Sequence, residues 1–127
     1  MHDERLGEAV QYFNNRYFFE AHDVFEEIWM DERGKSRRFY QGLVQLATGF
    51  YHLSMKNLNG AASQLSKGVE KLNIFKPAFA GLELENLLRE ITECLAELKK
   101  QHVNSLSSEA FKMTIPKLTW SPKNIKL

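Results

Sequence analysis

An apolar residue recurs every three to four positions along most of this chain, up to about residue 101. That spacing places the apolar side chains on one face of an α-helix, whereas a half-buried strand would alternate apolar and polar residues. No convincing alternation of that kind occurs. The sequence therefore predicts an all-α fold.

Breaks in the apolar spacing divide the chain into about five helices. The predicted helices cover approximately residues 3–13, 20–29, 37–56, 58–72 and 83–101. Gly34 interrupts the pattern after the second helix, and Ser36 is expected to cap the third. Pro77 and Gly81 mark the break before the fifth helix.

The first two helices resemble the next two when they are shifted by forty positions. Leu6 then falls on Leu46 and Ala21 on Ala61, so that apolar residues meet apolar residues and small residues meet small ones. This repeat predicts two tandem helical hairpins with a packing similar to tetratricopeptide repeats, although those repeats are about 34 residues long. The fifth helix is expected to cap the apolar face that two hairpins leave open.

The chain changes character after residue 102. Residues 103–127 contain two prolines, four lysines and one glutamate. We expect residues 1–102 to form a single helical-bundle domain and residues 103–127 to form a C-terminal arm, with a short helix in its first half and an extended second half. The arm is apolar enough to pack on its own domain or on another subunit, so a homodimer is one expected assembly.

Charge and cysteine content limit the classes of function. The net charge is only +1, whereas a nucleic-acid-binding protein needs a surplus of Lys and Arg on one face. No apolar run is long enough to span a bilayer, and the first ten residues lack the core of a secretory signal. The single cysteine, Cys94, fits a reducing compartment and a place in the core. We expect a cytoplasmic protein that binds neither nucleic acid nor membrane.

Two polar residues of the second helix lie where its apolar face begins. On a helical wheel, His22 and Glu26 are one turn apart and flank Trp29 at the edge of the buried face. The other acidic residues of this helix are expected to face solvent: Glu20, Asp23 and Glu27.

The third helix is apolar almost all round, as expected of a helix in the middle of a bundle. One polar stripe runs along it, formed by Gln41, Gln45, Thr48 and His52. Gly42 and Gly49 lie beside the stripe, where the absence of a side chain allows another helix or a ligand to approach closely.

These two sets of polar residues define a candidate site, because hairpins adjacent in sequence usually pack together. A buried amide or imidazole without a partner costs roughly 1–3 kcal/mol, so the groups need each other or a ligand. The candidate ligand-binding or polar residues are His22, Glu26, Trp29, Gln41, Gln45 and His52.

Three stretches, "YFFEAHDVFEEIWM", "RRFYQGLVQLATGFYHL" and "NLNGAASQLSKGVEKL", make residues 7–75 resemble the bacterial and archaeal helical family known as domain of unknown function 309. The resemblance implies a compact α-helical fold and no established biochemical activity. The residues that match the family pattern are Glu20, His22, Glu26, Trp29, Gln41, Gly42 and Gln45, with His52 at the family's polar position.

Three hypotheses about function follow. The first is a non-catalytic binding or scaffold protein for a protein, peptide or small molecule, with no cofactor. The second is a metal-dependent or acid–base enzyme, hydrolase-like, in which His22, Glu26 and His52 hold a divalent metal or act as a base and its orienting groups. The metal-binding patterns His-Glu-x-x-His and Cys-x-x-Cys are absent from the sequence, and no catalytic residue is assigned. The third is a structural polar network in an oligomer.

Overall fold

A computed structural model describes residues 3–104 and 114–122 of the chain. It contains five α-helices: α1 (Glu4–Asn14), α2 (Phe18–Asp31), α3 (Lys35–Ser54), α4 (Leu58–Leu72) and α5 (Glu85–Asn104). Each helix packs against the next one along the chain. The predicted all-α class is confirmed, and the predicted bounds of α4 match those observed.

Polar side chains cap several of these helices. The Asp3 carboxylate accepts a hydrogen bond from the Arg5 backbone N–H at the start of α1. The Asn57 side chain accepts one from Gly60 at the start of α4. The predicted cap at Ser36 is wrong. Gly34, with a φ of 70°, is the residue before α3, and the Ser36 hydroxyl instead donates to Glu32 and to the Arg33 carbonyl within the turn.

Aromatic residues dominate the core between the first three helices. Phe13 of α1 contacts Phe18 of α2 and Phe50 of α3, with ring centroids 5.1 and 5.8 Å apart. A second aromatic cluster joins Phe39 of α3 to Phe75 and Phe79, which follow α4. These clusters hold α3 in the middle of the bundle, where its nearly all-round apolar surface is expected.

Glycine allows α3 and α4 to approach closely. A Cβ added to Gly49 would lie 2.7 Å from the Leu65 side chain and 3.1 Å from its backbone nitrogen. A Cβ on Gly42 would lie 2.7 Å from Leu72. The two glycines beside the polar stripe therefore admit another helix, which was one of the two explanations predicted for them.

A short hairpin separates α4 from α5, after the 3₁₀ turn Asn73–Phe75. Its strands are β1 (Ala78–Phe79) and β2 (Leu82–Glu83), which pair antiparallel. Ala80 and Gly81 both have positive φ, as a two-residue hairpin turn requires. The sequence did not predict these strands, because two residues are too few for a period-two pattern.

Residues 114–122 of the arm are extended and lie against α1 and the hairpin of their own chain. Leu82 forms an antiparallel bridge with Trp120, and the backbone N–H groups of Glu83 and Ser121 donate to Thr119 and Gly81. Leu118 is buried in the core. Exchange of the arm between subunits stays a prediction, and the short helix predicted for its first half falls outside the described residues.

Of the helices described between residues 3 and 104, none combines the length and the apolar character needed to cross a membrane.

Candidate functional site

His22 lies between two carboxylates of its own helix. Its Nδ1 is 3.3 Å from Asp23 Oδ1, and its Nε2 is 3.9 Å from Glu26 Oε1. One potential ligand atom from each of the three residues lies within 4.8 Å of the other two. The proximity of His22 and Glu26 follows from their spacing of one helical turn.

Asp23 is the member of this group that the sequence did not indicate. The helical wheel places it on the solvent face, and its side chain is indeed 53% exposed. The carboxylate nevertheless reaches back to the imidazole of the preceding residue. The helical wheel missed this contact because it describes the direction of the Cα–Cβ bonds and not the reach of the side chains. The signal available in the sequence was the adjacency of a histidine and an aspartate.

Three buried polar atoms of α2 and α3 lack a hydrogen-bond partner among the described residues. They are His22 Nδ1, Trp29 Nε1 and Gln45 Oε1. Asp23 Oδ1 is near His22 Nδ1, but the two atoms do not form a hydrogen bond. Such groups normally find partners when they are buried, so each of the three is unusual.

Trp29 also contacts the start of α3. The Arg37 guanidinium carbon lies 4.3 Å from the centroid of the Trp29 ring, which is the geometry of a cation–π interaction. Arg37 is exposed, and Trp29 is half-buried. The end of α2 is thereby attached to α3 next to the unpaired indole N–H.

His52 lies near the other end of α3. Its Nδ1 is 3.3 Å from the Asn57 side-chain nitrogen. Its ring also neighbours Tyr51, whose ring neighbours Phe19, whose ring in turn neighbours His22, with successive centroids 6.2, 5.6 and 6.0 Å apart. His52 does not belong to the group of potential metal ligands around His22. Its grouping with His22 and Glu26 stays a prediction.

Gln41 and Gln45 both lie on α3 and are half-buried, as is Thr48 between them and His52. Of the two amides, Gln45 is the one with an unpaired buried atom. The structure therefore distinguishes the charged turn of α2 around His22 from the two other buried polar atoms of the predicted site, Trp29 Nε1 and Gln45 Oε1.

Residues 6–64 match the family model described as Domain of unknown function (DUF309). The predicted resemblance is confirmed. All the candidate site residues from His22 to His52 lie inside the DUF309 match, whereas α5 and the arm lie outside it.

One relative is the "Uncharacterized protein YpuF" of Bacillus subtilis (strain 168), which is 31% identical over 78 residues. The alignment covers 61% of this chain and 45% of the relative, so the chain spans less than half the length of YpuF. Neither the DUF309 description nor the name of the relative states an activity.

Outside the DUF309 match, a surface cavity of about 320 Å³ lies between α5 and the arm. Its lining consists of Glu90, Glu93, Cys94, Glu97, Thr114 and Pro116. Burial, followed by the nearby carboxylates Glu90 and Glu93, raises the pKa of the Cys94 thiol. Cys94 is therefore a protonated, buried thiol, as predicted for a core residue, and its Sγ lies 3.7 Å from the Thr114 carbonyl oxygen.

Proposed function

We propose that this protein is a non-catalytic binding protein that holds a small polar ligand against α2 and α3. The observation that carries the proposal is a set of three buried polar atoms that have no hydrogen-bond partner among the described residues: His22 Nδ1, Trp29 Nε1 and Gln45 Oε1. Leaving each atom unpaired costs roughly 1–3 kcal/mol, and a ligand that bonds to them would recover that free energy.

The chemistry of the three atoms limits the ligand. The Trp29 indole N–H can only donate, and Gln45 Oε1 can only accept. The nitrogen of His22 can do either, according to its tautomer. A ligand with both an acceptor and a donor, such as a carboxamide or an amino acid, has groups that match these atoms.

A purely structural role explains these atoms less well. A polar network that fixes the register of two helices should have members that bond to one another, because a partly satisfied network costs more than an apolar core. The enzyme hypothesis has less support than binding. It requires His52 to act together with His22 and Glu26, whereas the polar neighbour described for His52 is Asn57.

A ligand-observed NMR screen tests the proposal. Amino acids, carboxamides and small carboxylic acids would be screened against the whole protein and against Trp29→Phe and Gln45→Leu, with Gln64→Leu of α4 as the matched control. We expect a hit whose affinity falls about tenfold in each site variant, the loss of one good hydrogen bond, and is unchanged in the control. Hits that bind all four proteins equally would contradict the proposed site.

The proposal also covers the cellular compartment, the class of partner and the assembly of the protein. A buried thiol at Cys94 and a net charge of +1 support a cytoplasmic protein that does not bind nucleic acid. A homodimer, or a protein or peptide as the ligand, belongs to the same proposal and would be seen by sedimentation of the protein with and without a hit.

A further inference from the structure

The turn of α2 that carries His22, Asp23 and Glu26 has the donor set of a cation site. An imidazole nitrogen and two carboxylate oxygens are ligands that first-row divalent metals accept. The three ligand atoms already lie within 4.8 Å of one another. A metal bonded to each at about 2.1 Å would bring them somewhat closer together.

The burial of the three side chains permits that closure. The His22 side chain is 25% exposed and is held beside the Phe19 ring, whereas those of Asp23 and Glu26 are 53% and 43% exposed. The imidazole is thus the fixed member, and the two carboxylates can turn toward an ion without disturbing the core. The solvent side of the turn leaves further coordination positions open to water or to a ligand.

The two nitrogens of the imidazole ring have different neighbours. His22 Nε2 faces Glu26, and Nδ1 faces Asp23. Metal-bound histidines almost always have a carboxylate or carbonyl at the nitrogen that does not bind the ion, which fixes the tautomer and the orientation of the ring. Glu26 is therefore placed as a ligand beside Nε2. Asp23 Oδ1 lies 3.3 Å from Nδ1 without a hydrogen bond, so Asp23 would have to move toward the ring or toward the ion to complete the site.

The charge of this turn is not neutralised within the described part of the chain. Asp23 and Glu26 have His22 as their ion-pair partner there, and no Arg or Lys lies within 4.0 Å of either carboxylate. Arg37 of α3 is stacked on Trp29. Two carboxylates that share one imidazole attract a further positive charge.

We infer that His22, Asp23 and Glu26 form a binding site for a divalent first-row metal ion, such as Mn²⁺, Co²⁺ or Zn²⁺. The inference rests on the proposed function, because the ion would be one component of what the site holds. It goes beyond that function by assigning the ligand set of the ion: His22 would bind the ion, and Trp29 and Gln45 would remain to bind the organic ligand.

A titration of the whole, chelator-treated protein with Co²⁺ tests the inference, with visible absorption as the readout. We expect saturable binding of one ion per chain. His22→Gln and Glu26→Gln should abolish it, and Asp23→Asn should weaken it by roughly tenfold. Glu27→Gln removes the same charge from an exposed residue of α2 and is the control that keeps wild-type affinity. Circular dichroism checks that each variant is folded.

Mn²⁺ supplies a second readout that depends on position. Paramagnetic broadening of amide signals should centre on residues 19–26 in the wild type and disappear in His22→Gln. Broadening centred on His2, His102 or Glu90–Glu97, unchanged Co²⁺ affinity in His22→Gln, or no saturation up to about 1 mM Co²⁺ would overturn the inference.

The two proposals fail separately in these experiments. Ligand binding that persists in chelator and depends on Trp29 and Gln45 would leave the proposed function standing without the metal. Co²⁺ binding that depends on His22 and Glu26, with no ligand whose binding is sensitive to Gln45→Leu, would support the metal site and contradict the proposed function.

Discussion

The side chain of Asn14 makes two hydrogen bonds to the backbone of Leu118, which lies 104 positions later in the chain. Its Nδ2 donates to the Leu118 carbonyl at 2.9 Å, and its Oδ1 accepts from the Leu118 N–H at 2.8 Å. The pair fixes the orientation of the amide and satisfies both backbone groups of a buried residue. One side chain at the end of α1 thus anchors the arm.

Asn14→Ala should release the arm. Its loss leaves the Leu118 N–H and carbonyl unpaired, at a cost of roughly 1–3 kcal/mol. Because residues 114–116 help to cover Cys94, opening of the arm should expose the thiol. The measurement is the labelling rate of Cys94 by an aromatic disulfide, which we expect to rise by roughly 5- to 100-fold. Asn15→Ala, at an exposed position, is the matched control, and equal rates in both variants would contradict the prediction.

Gly49→Ala should destabilise the bundle. The added methyl group would lie 3.1 Å from the Leu65 backbone nitrogen, so α3 and α4 would have to separate. Overpacking of this kind costs about 1–3 kcal/mol. Gly7→Ala is the control, since a Cβ there meets nothing within 4 Å and should stabilise α1 by about 0.5–1 kcal/mol. Urea denaturation measures both, and a Gly49→Ala protein as stable as the wild type would contradict the close contact.

Gln45→Leu should stabilise the protein in the absence of ligand. The substitution removes a buried oxygen without a partner and keeps a similar volume, so the free energy of unfolding should rise by roughly 1–3 kcal/mol. Stability gained at the expense of binding is typical of functional sites. Urea denaturation measures the effect. A loss of stability would instead support the structural network, because it would mean that Gln45 is satisfied in the folded state.

Acid should weaken the start of α1. A hydrogen bond from the Arg5 side chain is the largest cause that lowers the pKa of Asp3 from its usual value of 3.8, and the Arg5 backbone N–H adds to it. The lowered pKa means that the folded state binds fewer protons than the unfolded state. The stabilisation by Asp3 is therefore complete above the usual pKa and is lost as pH falls through the lower, folded-state value.

The matching experiment follows the free energy of unfolding between about pH 5 and pH 2 in the wild type and in Asp3→Asn. Asparagine still caps a helix but does not titrate here, so we expect a shallower loss of stability on acidification. Glu27→Gln controls for the change of net charge. Identical pH profiles for wild type and Asp3→Asn would contradict a contribution from Asp3.

The helices were predictable because their determinants are local. Apolar spacing identifies each helix, and the approximate prediction of residues 58–72 coincides with the observed α4, which Asn57 caps. The prediction that Ser36 caps α3 was wrong because a serine hydroxyl can also form hydrogen bonds within a turn. Here the hydroxyl donates to Glu32, and the position of Glu32 is not evident from the sequence. The hairpin was not predictable from periodicity, since its strands of two residues depend on Trp120 for a further partner.

The candidate site was predictable in part. Helical geometry places His22 beside Glu26 whatever the rest of the fold does. The reach of Asp23, the stacking of Arg37 on Trp29 and the position of His52 beside Asn57 depend on rotamers and on the packing of α3, which no single segment encodes. The unpaired state of Gln45 is a property of the assembled bundle alone.

The hydrogen bonds between Asn14 and Leu118 also set an order of events during synthesis. Asn14 leaves the ribosome before its partner groups, because both of them belong to a residue translated 104 positions later. The helices can therefore assemble while the chain is still growing, as N-terminal segments generally do. The covering of Cys94 and of the hairpin must wait until residues 114–122 have themselves emerged.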